Sequence, residues 1–178
     1  MNNAIHLPIF IIGFMGSGKT TLGKKLSRLA DVPFIDLDQR IVETSGMSIS
    51  DYFELHGENA FRDLEEKTLK SIAPDAGAFI STGGGAPCYR DNIDWMNRHG
   101  LTLYLDLNPK VILSRLITSD RSTRPLLSNM DDKQLLSYIH DKLEERSTFY
   151  KKARIHINPL KLSPKNMLEL LVKETQSM

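Results

Sequence analysis

The stretch "GFMGSGKT", Gly13 to Thr20, decides the fold. It matches the pattern G-x-x-x-x-G-K-[ST]. An apolar run, "LPIFIIG", precedes it and reads as a strand rich in Ile and Phe. After it, "GKTTLGKKLSRLA" reads as a helix with Leu22, Leu26 and Leu29 on one face. Strand, glycine-rich turn and helix in that order make a phosphate cradle. The glycines let backbone N–H groups close around phosphate oxygens, and the helix N-terminus adds a favourable dipole. Lys19 supplies a point charge for the β- and γ-phosphates, and the Thr20 hydroxyl can hold Mg²⁺. The chain is therefore read as a binder of nucleoside triphosphates. The pattern alone does not separate a kinase from a GTPase or a motor.

Working outward, the alternation continues. "PFIDLD" is a second strand, and helical segments follow from Ile41 to Ile72, broken at "SGMS" and "HGEN". "GAFISTGGG" is a strand running into a glycine loop, and "LTLYLDL" is another strand followed by Asn-Pro and the helical "KVILSRLI". "SDRSTRPLLSN" reads as a polar loop, "DDKQLLSYIHDKLEERSTFYKKA" as a long helix, and "RIHIN" as a last short strand. The final helix, "SPKNMLELLVKET", is capped by Ser163 with Pro164 at its first position. Strands alternating with helices imply a parallel α/β sheet covered on both faces, with ligands at the carboxyl ends of the strands.

The bounds agree with one soluble domain, residues 1–178. Hydrophobic residues make up 40% and charged residues 25% of the 178. A net charge of +1 gives no bulk attraction to nucleic acid or to a membrane surface. The single cysteine, Cys88, rules out an internal disulfide and fits a reducing compartment. The N-terminal apolar run is about eight residues, against about 20 needed to span a bilayer. It also lacks a basic leader and a cleavage site, so a cytoplasmic protein is expected.

The acceptor of the phosphoryl group is read from the acids and arginines. A strand that ends in Asp commonly helps hold Mg²⁺, but "AFISTGGG" ends in Ser81 and Thr82 with no acid. Asp36, in "IDLDQR", is available for the metal. In an extended chain Asp36 and Asp38 would project together from one strand end. Asp38 would then be free to take a proton from a substrate hydroxyl. Its alternative role is to cap the helix beginning near Gln39, and local chemistry leaves both open. Gly83, Gly84 and Gly85 permit close approach of a ligand to the backbone. Arg62 and Glu65, spaced i, i+3, can pair and hold the guanidinium in place. Arg62 and Arg146 could together grip a carboxylate, and Arg121 and Arg124 lie in the polar loop, from which arginine could close over ATP.

Together "GSGKT", "DLD", "GENAFR" with its following Glu, "TGGGA", "RPLL", "ERSTFYKKA" and the late "SP" turn resemble the shikimate kinase family. They occur in the family's order across nearly the whole chain. The resemblance implies phosphoryl transfer from ATP to the 3-hydroxyl of shikimate, on the way to chorismate and the aromatic amino acids. It implies a five-stranded parallel sheet in a nucleoside-monophosphate-kinase-like P-loop fold, acting as a monomer. A substrate-binding helical region would span about 37–72 and a mobile lid about 116–128. ATP would be held by Gly16, Ser17, Gly18, Lys19, Thr20, Thr21, Arg115, Arg124 and Pro164, with Pro164 beside the adenine and Arg115 on its other face. Thr20 and, through water, Asp36 would hold Mg²⁺, with Ser81 behind them. Asp38 would be the base, assisted by Lys19 and the lid arginine Arg124. Arg62, Arg146 and the Gly84 N–H would take the shikimate carboxylate, beside Gly83 and Gly85. Ile49, Phe53, Phe61, Pro125 and Leu126 would line the apolar side. The rival readings are a related small-molecule kinase, such as a gluconate kinase, and an ATP-binding module without turnover.

Overall fold

The structure, a computed structural model, describes residues 5–72, 77–118 and 130–178. Arg121, Arg124, Pro125 and Leu126, and the expected lid beyond residue 118, lie outside the described residues.

Five strands form one parallel sheet: β1 (Pro8–Ile12), β2 (Phe34–Asp36), β3 (Ala78–Ser81), β4 (Leu101–Leu105) and β5 (Ile155–Ile157). Their order across the sheet is β2-β3-β1-β4-β5. β1 is central and buried throughout, which explains its unbroken apolar run. Its residues alternate between the two faces. Ile9 and Ile11 enter one hydrophobic cluster, whereas Phe10 and Ile12 enter another on the opposite side.

The first cluster lies under α1 (Lys19–Ala30) and α7 (Pro164–Gln176), joined by Leu22, Leu26, Met167 and Leu171. The second lies under α2 (Leu37–Ser45), α3 (Ile49–Ser71) and α4 (Asn92–His99), with Tyr150 from the end of α6 (Asp132–Tyr150). A third cluster packs Phe14 between α5 (Pro109–Thr118) and α6. One sequence expectation needs correction here: Leu29 is 54% exposed. The buried stripe of α1 runs through Lys19, Leu22, Gly23, Leu26 and Ser27, which leaves Leu29 at its margin.

The breaks fall where turn chemistry places them. Gly46 ends α2 in the left-handed conformation, and Ser48 caps α3 through Asp51 N. Gly57, at φ 79 and ψ 173, interrupts the helical geometry of α3 within "HGEN". Ser163 caps α7, accepting from Asn166 N at 3.2 Å, with Pro164 at the first helical position.

Candidate active site

The phosphate loop leaves β1 and enters α1. Gly16 and Gly18 hold φ angles of 76 and 95, which side-chain-bearing residues rarely adopt. Lys19 is buried and donates to the carbonyls of Gly13 and Phe14 at 2.9 and 3.0 Å. The Ser17 hydroxyl is buried with no hydrogen-bond partner among the described residues. Arg115, from α5, donates to the carbonyls of Ser17 at 2.9 Å and Gly16 at 3.3 Å. It thus ties α5 to the back of the loop.

The acids occupy different positions from those that strand alternation suggests. β2 ends at Asp36 and α2 begins at once, so Asp38 lies in the first turn of the helix. Asp36, rather than Asp38, is the cap: its Oδ1 accepts from Asp38 N at 3.1 Å and Gln39 N at 3.5 Å. Its other oxygen, Oδ2, accepts from the Thr20 hydroxyl at 2.9 Å. Ser81 Oγ lies 3.3 Å from Thr20 Oγ1. Among the described residues no group of three or more His, Cys, Asp or Glu side chains could hold a metal. The donor set here is two hydroxyls and one carboxylate, hard oxygens of the kind Mg²⁺ takes when phosphates and water complete its shell.

Asp38 is relieved of capping and faces the glycine turn. A Cβ added to Gly83 would sit 3.1 Å from Asp38 Oδ1. Burial, and then repulsion from Asp36, hold the Asp38 carboxyl above its ordinary range, while Lys19 and Arg62 partly offset this.

The next two glycines face the arginines. A Cβ on Gly84 would lie 3.2 Å from Arg146 Nη1, and one on Gly85 would lie 2.6 Å from Arg62 Nη2. An added Cβ would crowd most at Gly83, where Glu65 Oε1 would lie at 2.6 Å, and at Gly85, while Gly84 would need only a small shift of Arg146. Arg62 pairs with Glu65 at 2.6 Å and more distantly with Glu58 at 3.5 Å. Glu65 is 1% exposed, and burial raises its carboxyl despite the Arg62 pair. Arg146, from α6, stands over the Phe14 ring at 5.6 Å.

A cavity of about 880 Å³ runs along the carboxyl ends of the strands. Its walls include Asp38, Ile49, Gly83 and Gly84 beyond β2 and β3, the loop residues Gly16 to Thr21, and Arg115, Leu162 and Pro164 beyond β4 and β5. Gly85, Arg62, Arg146, Phe53 and Phe61 border the glycine turn or α3 instead of these walls. The Phe53 ring rests on Phe61 at 4.3 Å, and Phe61 is buried behind it. Sequence reasoning missed Tyr150, whose hydroxyl donates to Gly84 O at 2.7 Å. The available signal was its place four residues after Arg146, on the same helical face.

The family model for shikimate kinase matches residues 15–176. A shikimate kinase from Bacteroides fragilis is 42% identical over 170 residues, covering 96% of this chain and 94% of its own. The crystal structure of shikimate kinase from Bacteroides thetaiotaomicron superposes with a TM-score of 0.83 at 40% identity, covering 96% of this chain and 97% of that one. The shikimate kinase from Acinetobacter baumannii, solved in complex with shikimate, gives a TM-score of 0.81 at 28% identity, covering 97% and 94%.

Proposed function

Because this chain belongs to the shikimate kinase family, we propose that it transfers the γ-phosphoryl group of ATP to the 3-hydroxyl of shikimate. The products are shikimate 3-phosphate and ADP, and the step serves chorismate and aromatic amino acid synthesis. The observation that carries the reading is the convergence of Asp38, Arg62 and Arg146 on three consecutive glycines at the mouth of a phosphate loop.

Each residue has a task in this reading. The loop Gly16 to Thr21 cradles the β- and γ-phosphates, and a phosphate oxygen would give the Ser17 hydroxyl the partner it lacks. Lys19 exchanges its two loop carbonyls for phosphate oxygens. Arg62 and Arg146 grip the substrate carboxylate, aided by the Gly84 N–H. Arg62 enters this task already oriented by Glu65. Gly83 and Gly85 leave room for the ring, and Ile49, with Phe53 backed by Phe61, offers an apolar wall. Asp38 accepts the proton of the 3-hydroxyl as its oxygen bonds to the γ-phosphorus. The bond to the bridging oxygen breaks, and ADP leaves. A carboxyl held above the ordinary range is a better proton acceptor than an exposed one once ionised.

Thr20 and Asp36 fit Mg²⁺, with Ser81 behind them. When bound, the ion neutralises charge on the phosphates. Pro164 and Arg115 border the cavity where the adenine would lie. Arg124 is assigned to the lid, with Pro125 and Leu126 closing the apolar side. We assign the helical region at about 37–72 to substrate binding and 116–128 to the lid. The protein is proposed to work as a cytoplasmic monomer. No helix among the described residues is long and apolar enough to cross a membrane.

The test is ADP release from Mg²⁺-ATP with shikimate, with gluconate and with neither. Release that depends on shikimate is expected. Release with gluconate instead, or tight ATP binding with no turnover, would overturn the reading.

A further inference from the structure

Tyr150 carries a buried hydroxyl that the mechanism leaves unused. It is 1% exposed, the last residue of α6, and four residues after Arg146. That spacing puts both side chains on one face of the helix. The Tyr150 hydroxyl donates to Gly84 O at 2.7 Å, and the Arg146 guanidinium reaches the same glycine, since a Cβ on Gly84 would lie 3.2 Å from Arg146 Nη1. A phenol has one proton to donate and lone pairs to accept with. Donating to Gly84 commits the proton and leaves the oxygen for the guanidinium. Burial holds the hydroxyl well above its ordinary pKa, so it remains a donor throughout the working pH range. The ring itself is fixed from beneath. It stacks on Tyr104 of β4 at 5.0 Å and 25°.

We propose that Tyr150 is a positioning residue for the substrate carboxylate, its hydroxyl joining the Gly84 carbonyl to Arg146 so that turn and arginine keep one relative placement. The inference rests on the reading of shikimate as the substrate. Arg146 has no carboxylate partner like the one Glu65 gives Arg62 among its described ion pairs. A long, flexible side chain without such a partner loses more entropy on gripping a ligand. Tyr150 supplies the missing restraint with a neutral group, which does not compete with the incoming carboxylate for the guanidinium charge. Its bond to Gly84 O fixes the peptide plane following Gly84, and so limits the turn whose N–H faces the same carboxylate.

The test is steady-state kinetics of Tyr150→Phe, which keeps the ring on Tyr104 and removes only the hydroxyl. We expect the KM for shikimate to rise about tenfold, the effect of losing one hydrogen bond to a charged group. The KM for ATP should stay within about twofold and kcat within about threefold, since neither the phosphate loop nor Asp38 is touched. In an Arg146→Ala background, the same substitution should change the shikimate KM by less than about twofold, because the two act as one unit. A lowered melting temperature with unmoved kinetic constants would overturn the proposal by making Tyr150 a packing residue only. Equal effects in both backgrounds would overturn it as well, since Tyr150 would then not act through Arg146. Wild-type protein with no shikimate-dependent turnover would overturn the substrate reading, and this proposal with it.

Discussion

Replacing Glu65 isolates the device that orients Arg62. The Glu65 carboxylate is 1% exposed and 2.6 Å from Arg62 Nη1, while the Arg62 side chain is 18% exposed. Breaking a buried ion pair by removing one partner costs about 3–5 kcal/mol, because the remaining charge stays buried and unpaired. Two features place Glu65→Ala at the low end. Arg62 retains some solvent, and Glu58 remains at 3.5 Å, though at 69% exposure that second pair is worth less than about 1 kcal/mol. Burial also raises the Glu65 carboxyl in spite of Arg62, so part of the attraction already offsets desolvation. About 3 kcal/mol is the resulting expectation, or a fall of about 6–12 °C in melting temperature for a chain of this size. Glu65→Gln keeps the shape and an uncharged acceptor, and should lose about 1–2 kcal/mol. Thermal unfolding followed by circular dichroism measures both. The KM for shikimate should rise about tenfold or more in each variant, as Arg62 gains freedom to swing from Gly85, with the KM for ATP little changed. Stability within about 0.5 kcal/mol of wild type and an unchanged shikimate KM in Glu65→Ala would refute the argument.

Two further outcomes follow from the same geometry. Gly85 has φ −89, so its backbone accepts alanine, but the new Cβ would stand 2.6–2.8 Å from the Arg62 guanidinium. Since the end of a long side chain can move aside, Gly85→Ala should keep its stability to within about 1 kcal/mol yet raise the shikimate KM about tenfold, as read by melting and steady-state kinetics. The pH dependence follows from Asp38. Its carboxyl is raised above 3.8 in the folded chain, so the native state holds the proton more tightly than the unfolded one. Its contribution to stability is therefore greatest below the ordinary carboxylate range and is lost as pH rises through the raised pKa. Activity runs the opposite way, since the base must be ionised. The acid limb of kcat/KM for shikimate should lie above 3.8 and disappear with the residual activity of Asp38→Asn.

Much of this architecture is legible in the residues because its signals are local. The phosphate loop, the unbroken apolar β1, the break at Gly57 and the Ser163–Pro164 start of α7 each follow from the conformational preferences of a few neighbours. Arg62 and Glu65 pair because one helical turn brings them together. What the sequence hides depends on distant parts of the chain. Strand order is one case: nothing in "FISTGGG" states that β3 lies between β1 and β2. The division of labour between the acids is another. Asp36 becomes the cap because the helix starts at Leu37, and strand periodicity cannot foresee that start. Arg115 and Tyr150 find backbone carbonyls 98 and 66 residues away in sequence. Their partners are carbonyls, which every residue carries, so no side-chain pattern announces them.

Asp38→Asn probes the proton acceptor itself, with shikimate binding by calorimetry and turnover by ADP release measured on the same preparation. The substitution keeps the size of the side chain against Gly83 and removes only its capacity to take a proton. If Asp38 is the base, shikimate should still bind within about tenfold of wild type while kcat falls by roughly two to four orders of magnitude. Turnover within about threefold of wild type would contradict the account, and the proton of the 3-hydroxyl would have to leave by a route that does not involve Asp38.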